Sequence, residues 1–154
     1  MSAERFSLDT NILVYAADRD AGDKHARALE IIARAARRPC TLTIQALAEF
    51  YHATTRKRIV PQAEAAAQVC DWLELFPTAA ADADALLRAL DASEKGQLPF
   101  WDALMLATAG QAGCAVVLSE GMADGARLDN VTVLDPFKGS DLPAAAAALL
   151  GLRA

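Results

Sequence analysis

Three acids stand apart from the other carboxylates of this chain because their neighbours are apolar. Asp9 follows Arg5-Phe6-Ser7-Leu8, Glu49 lies within Ala46-Leu47-Ala48-Glu49-Phe50, and Asp102 lies within Phe100-Trp101-Asp102-Ala103-Leu104-Met105. An acid set among core-forming residues costs stability unless it is paired, hydrogen-bonded or bound to a cation. Carboxylates that converge repel one another, and a divalent ion relieves that repulsion. Oxygen donors favour Mg2+ or Mn2+ over zinc. Such an ion activates a water and stabilises charge on a phosphoryl oxygen during in-line displacement. Each acid also has an ordinary structural role open to it. Asp9 can cap a helix, Glu49 can be a solvated helix residue, and Asp102 suits a first helical turn three residues after Pro99.

Other chemistries find little to carry them. No glycine-rich phosphate loop of the G-x-G-x-x-G or G-x-x-x-x-G-K-[ST] kind occurs, and no His-rich or paired-cysteine metal pattern is present. His25 and His52 fall within predicted helices and adjoin no G-x-S-x-G elbow, so both read as structural or surface residues. Cys40, Cys70 and Cys114 are odd in number and widely spaced, which fits buried thiols in a reducing cytosol better than a disulfide frame.

The acids need elements to position them. Residues 5–8 read as a short strand that hands over to a helix at Asp9, with 12–17 apolar beyond it. Ala28, Leu29, Ile32 and Ala35 recur at helical spacing, predicting a helix over 25–38 stopped by Pro39. A short buried strand is expected at 40–43 and a helix over 45–57. Pro61 opens another helix to about 75. A short extended piece lies near Pro77, and a helix capped by Asp82 runs to about 94. A further helix spans 100–111, strands occupy 115–118 and 131–134, and a last helix covers about 142–151. Short apolar strands alternating with helices predict an α/β domain with a mainly parallel sheet. Ligands bind such sheets outside the carboxyl ends of the strands, where both Asp9 and Ser119-Glu120 fall.

The bulk properties set outer limits. The chain has 154 residues, and its net charge is −5. That length predicts one domain, with a core over about 5–137. Hydrophobic residues make up 54%, a figure inflated by 36 alanines, and 23% are charged, which excludes wholesale disorder. No apolar run reaches the roughly 18 residues that span a bilayer, and no signal-peptide pattern opens the chain, so a cytoplasmic protein without a membrane role is expected. The acidic balance argues against coating nucleic acid by bulk charge but leaves a local acidic site open.

The string Leu8-Asp9-Thr10-Asn11-Ile12-Leu13-Val14-Tyr15 resembles the opening motif of PIN domains, which are metal-dependent nucleases. Glu49 in Gln45-Ala46-Leu47-Ala48-Glu49-Phe50-Tyr51 matches that family's second acid, and Asp102 in Phe100-Trp101-Asp102-Ala103-Leu104-Met105-Leu106-Ala107 its third. Asn130-Val131-Thr132-Val133-Leu134-Asp135-Pro136-Phe137 is similar to its final strand. The resemblance implies a three-layer α/β/α fold and a Mg2+- or Mn2+-dependent endoribonuclease with Asp9, Glu49 and Asp102 as catalytic metal ligands. At this size it is most similar to VapC-type toxins, which implies a homodimer and a small protein antitoxin that blocks or distorts the acidic pocket.

One departure stands out. The family carries a further acid two residues beyond a Ser or Thr after the strand at 115–118, and in Ser119-Glu120-Gly121-Met122-Ala123-Asp124 that position is Gly121. Glu120 and Asp124 flank it, and Asp124 is the candidate fourth ligand. Gln45, four residues before Glu49 on the same helix face, can orient its carboxylate; Asn11 can do the same for Asp9, and Ser119 can hydrogen-bond a ligating acid or cap the next helix. Arg56, seven residues after Glu49, shares its face about 10 Å along the axis. With Lys57 and Arg58 it forms a candidate RNA-phosphate contact or a solvated helix end. Arg34, Arg37 and Arg38 read as a solvated or partner face. Met105 and Trp101 read as core or interface, in preference to base-stacking platforms. Two rivals to the nuclease are a catalytically degenerate PIN-like module that binds RNA or protein, and a phosphatase-like α/β enzyme. Asn11 counts against the phosphatase, which needs a second aspartate there.

Overall fold

The computed structural model describes residues 4–152. Strand β1 (Phe6–Leu8) leads into helix α1 (Thr10–Ala17), and a 3-10 turn then connects to α2 (Asp23–Ala35). Next come β2 (Leu42–Thr43), α3 (Ile44–Arg56), α4 (Gln62–Leu75), β3 (Thr78–Ala79), α5 (Ala83–Glu94) and α6 (Phe100–Gln111). The chain continues through β4 (Val116–Leu118), β5 (Arg127–Leu128), β6 (Val131–Leu134) and α7 (Ala144–Leu149). This is the expected three-layer α/β/α arrangement around a mainly parallel sheet.

Four strands pair in the order β1-β4-β6-β5, with β1, β4 and β6 parallel and β5 antiparallel to β6. Strands β2 and β3 form a separate parallel pair, and a single bridge from Phe6 to Cys40 brings the approach to β2 against the free edge of β1. The chain therefore leaves β1 toward one side and comes back to it on the other at β4. That reversal of strand order opens a crevice at the carboxyl ends of β1 and β4, the place where open α/β sheets bind ligands. All six residues of β1 and β4 are buried, as expected of parallel strands covered on both faces.

Local signals account for the helix ends. The Thr43 hydroxyl accepts from the Ala46 amide at 3.0 Å to start α3, and Asp82 Oδ1 accepts from the Ala85 amide at 2.9 Å to start α5. Pro61, Pro99 and Pro143 stand just before α4, α6 and α7. Helix α6 is apolar nearly all round, with 103–109 buried. It lies so close to the sheet that a Cβ on Gly110 would stand 2.9 Å from Val131 Cγ2.

The structure adjusts several sequence boundaries. Helix α2 ends at Ala35, and 36–38 form turns before Pro39. Cys40 makes only the lone bridge, leaving β2 with two residues, and the extended piece near Pro77 follows the proline as β3. The last helix is shorter than expected because Pro143 cannot continue one backwards. Cys40 and Cys114 are buried as expected, whereas Cys70 is exposed on α4. Among the described residues no helix is long and apolar enough to cross a membrane.

Candidate active site at the β1–β4 crevice

Asp9 is the residue on which β1 becomes α1. Its backbone is extended, and its Oδ1 accepts from the Thr10 amide at 2.7 Å, so the capping role is real. The other oxygen has a separate task. The buried Ser119 hydroxyl, at the end of β4, donates to Asp9 Oδ2 at 2.7 Å, and the Asp9 amide donates to the Leu118 carbonyl at 2.9 Å. Ser119 in turn accepts from the Met122 amide at 3.1 Å, so it both holds the acid and caps the loop that follows. The first acid is thus clamped across the switch point of the sheet.

Glu49 arrives from α3. Thr10 Oγ1 donates to its Oε2 at 2.8 Å, and Gln45 Nε2 donates to its Oε1 at 2.7 Å. The same Gln45 amide donates to the Trp101 carbonyl at 3.0 Å, tying α3 to the start of α6. Asp102 sits in that first turn, half-buried, and among the described residues no donor reaches its carboxylate. Thr10 was not singled out by sequence reasoning. The signal was its place directly after Asp9, where a helix-start hydroxyl reaches a neighbouring element.

The three acids feel one another's charge. Burial raises the Asp9 carboxyl above its ordinary value of 3.8. The bonds from Ser119 and Thr10 pull it down, and the charges of Glu49 and Asp102 push it up. Burial also raises Asp102, followed by the charge of Glu49. This mutual repulsion is what a cation would relieve.

Among the described residues, no group of three or more His, Cys, Asp or Glu side chains is arranged to hold a metal ion as it stands. Asp9 and Glu49 accept from hydrogen-bond donors, Asp9 from Ser119 and Thr10 and Glu49 from Thr10 and Gln45. The donor set nonetheless fits a hard divalent cation in type and charge: three carboxylates in one another's field, plus two buried carbonyl oxygens, Asn11 Oδ1 and Gln45 Oε1, that have no hydrogen-bond partner. Binding requires the carboxylates to turn toward one another.

The flanking candidates fall elsewhere. Asp124 accepts from the Asp135 amide at 2.9 Å and from Lys138 at 2.8 Å, so both its oxygens face the end of β6 and away from the triad. Glu120 accepts from the Tyr15 hydroxyl and pairs with Lys24 at 2.9 Å. Neither replaces the side chain missing at Gly121, where a Cβ would meet Asn11 Nδ2 at 2.9 Å. The basic cluster splits. Arg56 ends α3 on the exposed surface, whereas Lys57 and Arg58 turn into a different groove of about 670 Å3, shared with Arg19 and Glu64. Arg38 donates to the Leu149 carbonyl at 3.1 Å and so ties down α7. His25 Nδ1 lies 2.9 Å from the Tyr15 carbonyl, a structural contact, and His52 is exposed. Met105 is core, but Trp101 is 63% exposed, which rules out the core half of the core-or-interface expectation for it.

Comparison with known proteins places this geometry in context. No curated protein matches the chain in sequence. Among solved structures it is similar to Mycobacterium tuberculosis VapC20, described as a sarcin–ricin loop cleaving toxin, with a TM-score of 0.63 at 16% identity over 82% of this chain and 98% of that one. It is also similar to a chain of DNA-bound VapBC from Salmonella typhimurium, with a TM-score of 0.62 at 17% identity over 86% and 98%. A third likeness is to VapBC2 of Rickettsia felis bound to a promoter DNA fragment, with a TM-score of 0.60 at 17% identity over 85% and 98%. The PIN domain family model matches residues 7–122, a span that holds all three acids and Ser119, so the chain belongs to the PIN domain family.

Proposed function

We propose that the protein is a Mg2+- or Mn2+-dependent endoribonuclease and the toxin of a toxin–antitoxin pair. The observation that carries the reading is that Asp9, at the switch point, lies within the field of both Glu49 and Asp102. Membership of the PIN family and the likeness to toxin structures support it. The reading implies a small protein antitoxin, a second copy of the chain as partner, and action in the cytoplasm.

Asp9, Glu49 and Asp102 would hold the ion, with Asp102 the carboxylate free of other bonds. A bound divalent ion supplies Lewis acidity toward the scissile phosphate and the attacking water. Ser119 and the Thr10 amide hold Asp9, and Thr10 and Gln45 hold Glu49, so these donors would orient the two carboxylates once they have turned to the ion. Beside a cation the carboxylates would act through charge, with little role as proton carriers. Arg56 extends the Glu49 side of α3 toward a flanking phosphate, and Lys57 and Arg58 serve the strand farther along.

Incubation of total RNA with the purified protein tests this directly. Discrete fragments are expected with Mg2+ and none with EDTA; equal cleavage in both, or none in either, rejects the reading. Gly121 favours one other reading, a non-catalytic binding module, which predicts RNA binding without cleavage under all metals. Ser119→Ala is expected to weaken Mn2+ binding about 10- to 100-fold by calorimetry, because Asp9 Oδ2 loses the donor that holds it.

A further inference from the structure

Beside the acids runs a groove of about 800 Å3 whose wall includes Thr10, Gln45 and Glu49. The rest of its lining is largely apolar, with four alanines, Ile44, Trp101 and Leu104, and it includes the imidazole of His52. Trp101 is the most conspicuous member. It precedes Asp102 in the first turn of α6, the residue is 63% exposed, and Phe100 meets its ring edge-on at 5.0 Å and 72°. Its carbonyl is held by Gln45, so its backbone is fixed to the same side chain that braces Glu49. An exposed indole on so rigid a mount is costly to leave in water without a partner.

We infer that this groove seats an unpaired nucleobase of the RNA strand next to the scissile phosphate, with Trp101 as its stacking surface. The inference rests on the ribonuclease reading and adds a positioning residue to it. Three observations select a base as the occupant. The groove reaches Glu49 and Thr10, so whatever lies in it adjoins the acidic site. Glu49 on its wall disfavours an anionic occupant, whereas a base is neutral and flat. The four alanines of the lining leave room beside the indole for a planar ring. Single-stranded RNA offers such bases, splayed from the stack and bound on aromatic faces. Stacking on an aromatic contributes about 1–3 kcal/mol per base and tolerates any base.

The chain carries its own reporter, since its other tryptophan, Trp72, is only 5% exposed. In EDTA and low salt, where no cleavage occurs, an oligoadenylate octamer is expected to quench the Trp101 emission. Trp101→Ala should weaken its binding about 5- to 150-fold, Trp101→Phe should keep it within about threefold, and Trp101→Leu should behave like alanine. An octamer with one abasic residue at the contact should bind wild type as weakly as the intact octamer binds Trp101→Ala. Absence of quenching at millimolar octamer, unchanged binding by Trp101→Ala, or equal binding by the leucine and phenylalanine variants would overturn the inference. So would a fall in mass by light scattering for Trp101→Ala alone, which would assign the surface to a second copy of the chain. Wild-type cleavage with Mg2+ alongside unchanged Trp101→Ala binding rejects this inference and leaves the ribonuclease standing. Quenching without cleavage under any metal does the reverse.

Discussion

Asp9→Asn is expected to lower Mg2+-dependent RNA cleavage at least about 100-fold, the lower end of what one preorganised electrostatic contact contributes. The same change should raise the melting temperature of the metal-free protein. The two effects have one cause. Asparagine keeps an oxygen for the Thr10 amide and a polar group for Ser119, yet removes the charge that Glu49 and Asp102 repel. The pH dependence fixes the sign. Because Asp9 is raised in the folded state, the fold holds that proton more tightly than the unfolded chain does. The contribution of Asp9 to stability is therefore fully present below its ordinary value and is lost as pH rises through the raised one. The gap in melting temperature between variant and wild type should widen as pH climbs out of the acid range. Mn2+ should close it by stabilising wild type, by about 2.7 kcal/mol at an ion concentration 100 times Kd, and should leave the variant far less affected. Calorimetric scans at several pH values, with and without Mn2+, check both signs. Full cleavage by the variant, or a variant that melts lower at neutral pH, contradicts the proposed role of the acid.

Phe50→Ala carries the largest expected loss of stability, about 3–5 kcal/mol, against the 5–15 or so that holds a typical domain together. The ring is fully buried and meets Trp72 edge-on at 4.8 Å, joining α3 to α4. Its removal leaves a cavity directly behind Glu49. Denaturant unfolding followed by Trp72 emission should show the midpoint fall, and cleavage should drop because α3 no longer holds its acid firmly. Tyr51→Ala is the control. That side chain lies at the surface, so its loss should move stability by no more than about 0.5 kcal/mol. Three consecutive residues of one helix turn thus face the site, the core and the solvent.

The helical period of α3 made the core face through Phe50 legible in advance, as it did the face shared by Gln45 and Glu49. Helix α6 and strand β6 occur over the residues their patterns predicted, because Pro99 and a near-continuous apolar run are strong local signals. Strand β5 was missed. It has two residues, and its cue was the pair Asp129-Asn130, which with Asp129 at φ 50° turns the chain into β6. The core reading of Trp101 failed for a related reason. Apolar neighbours predict burial only where another element covers them, and the first turn of α6 emerges beside Gln45 and Glu49 into the groove. The role of Thr10 and the partners of Glu120 and Asp124 depend on contacts between distant segments, which no local pattern encodes. The acids themselves were legible because a charge among apolar residues needs a reason wherever it occurs.

The clamp from Ser119 to Asp9 has a consequence for how the protein is made. The hydroxyl leaves the ribosome 110 residues after the carboxylate it holds, and after Glu49 and Asp102 as well. Until β4 has been synthesised, β1 can pair only with the approach to β2, through the single bridge at Cys40. A growing chain can therefore carry all three acids without the centre they form, because the strand that aligns the first of them comes last. Translation order thus makes the alignment of Asp9 one of the last steps in folding this chain.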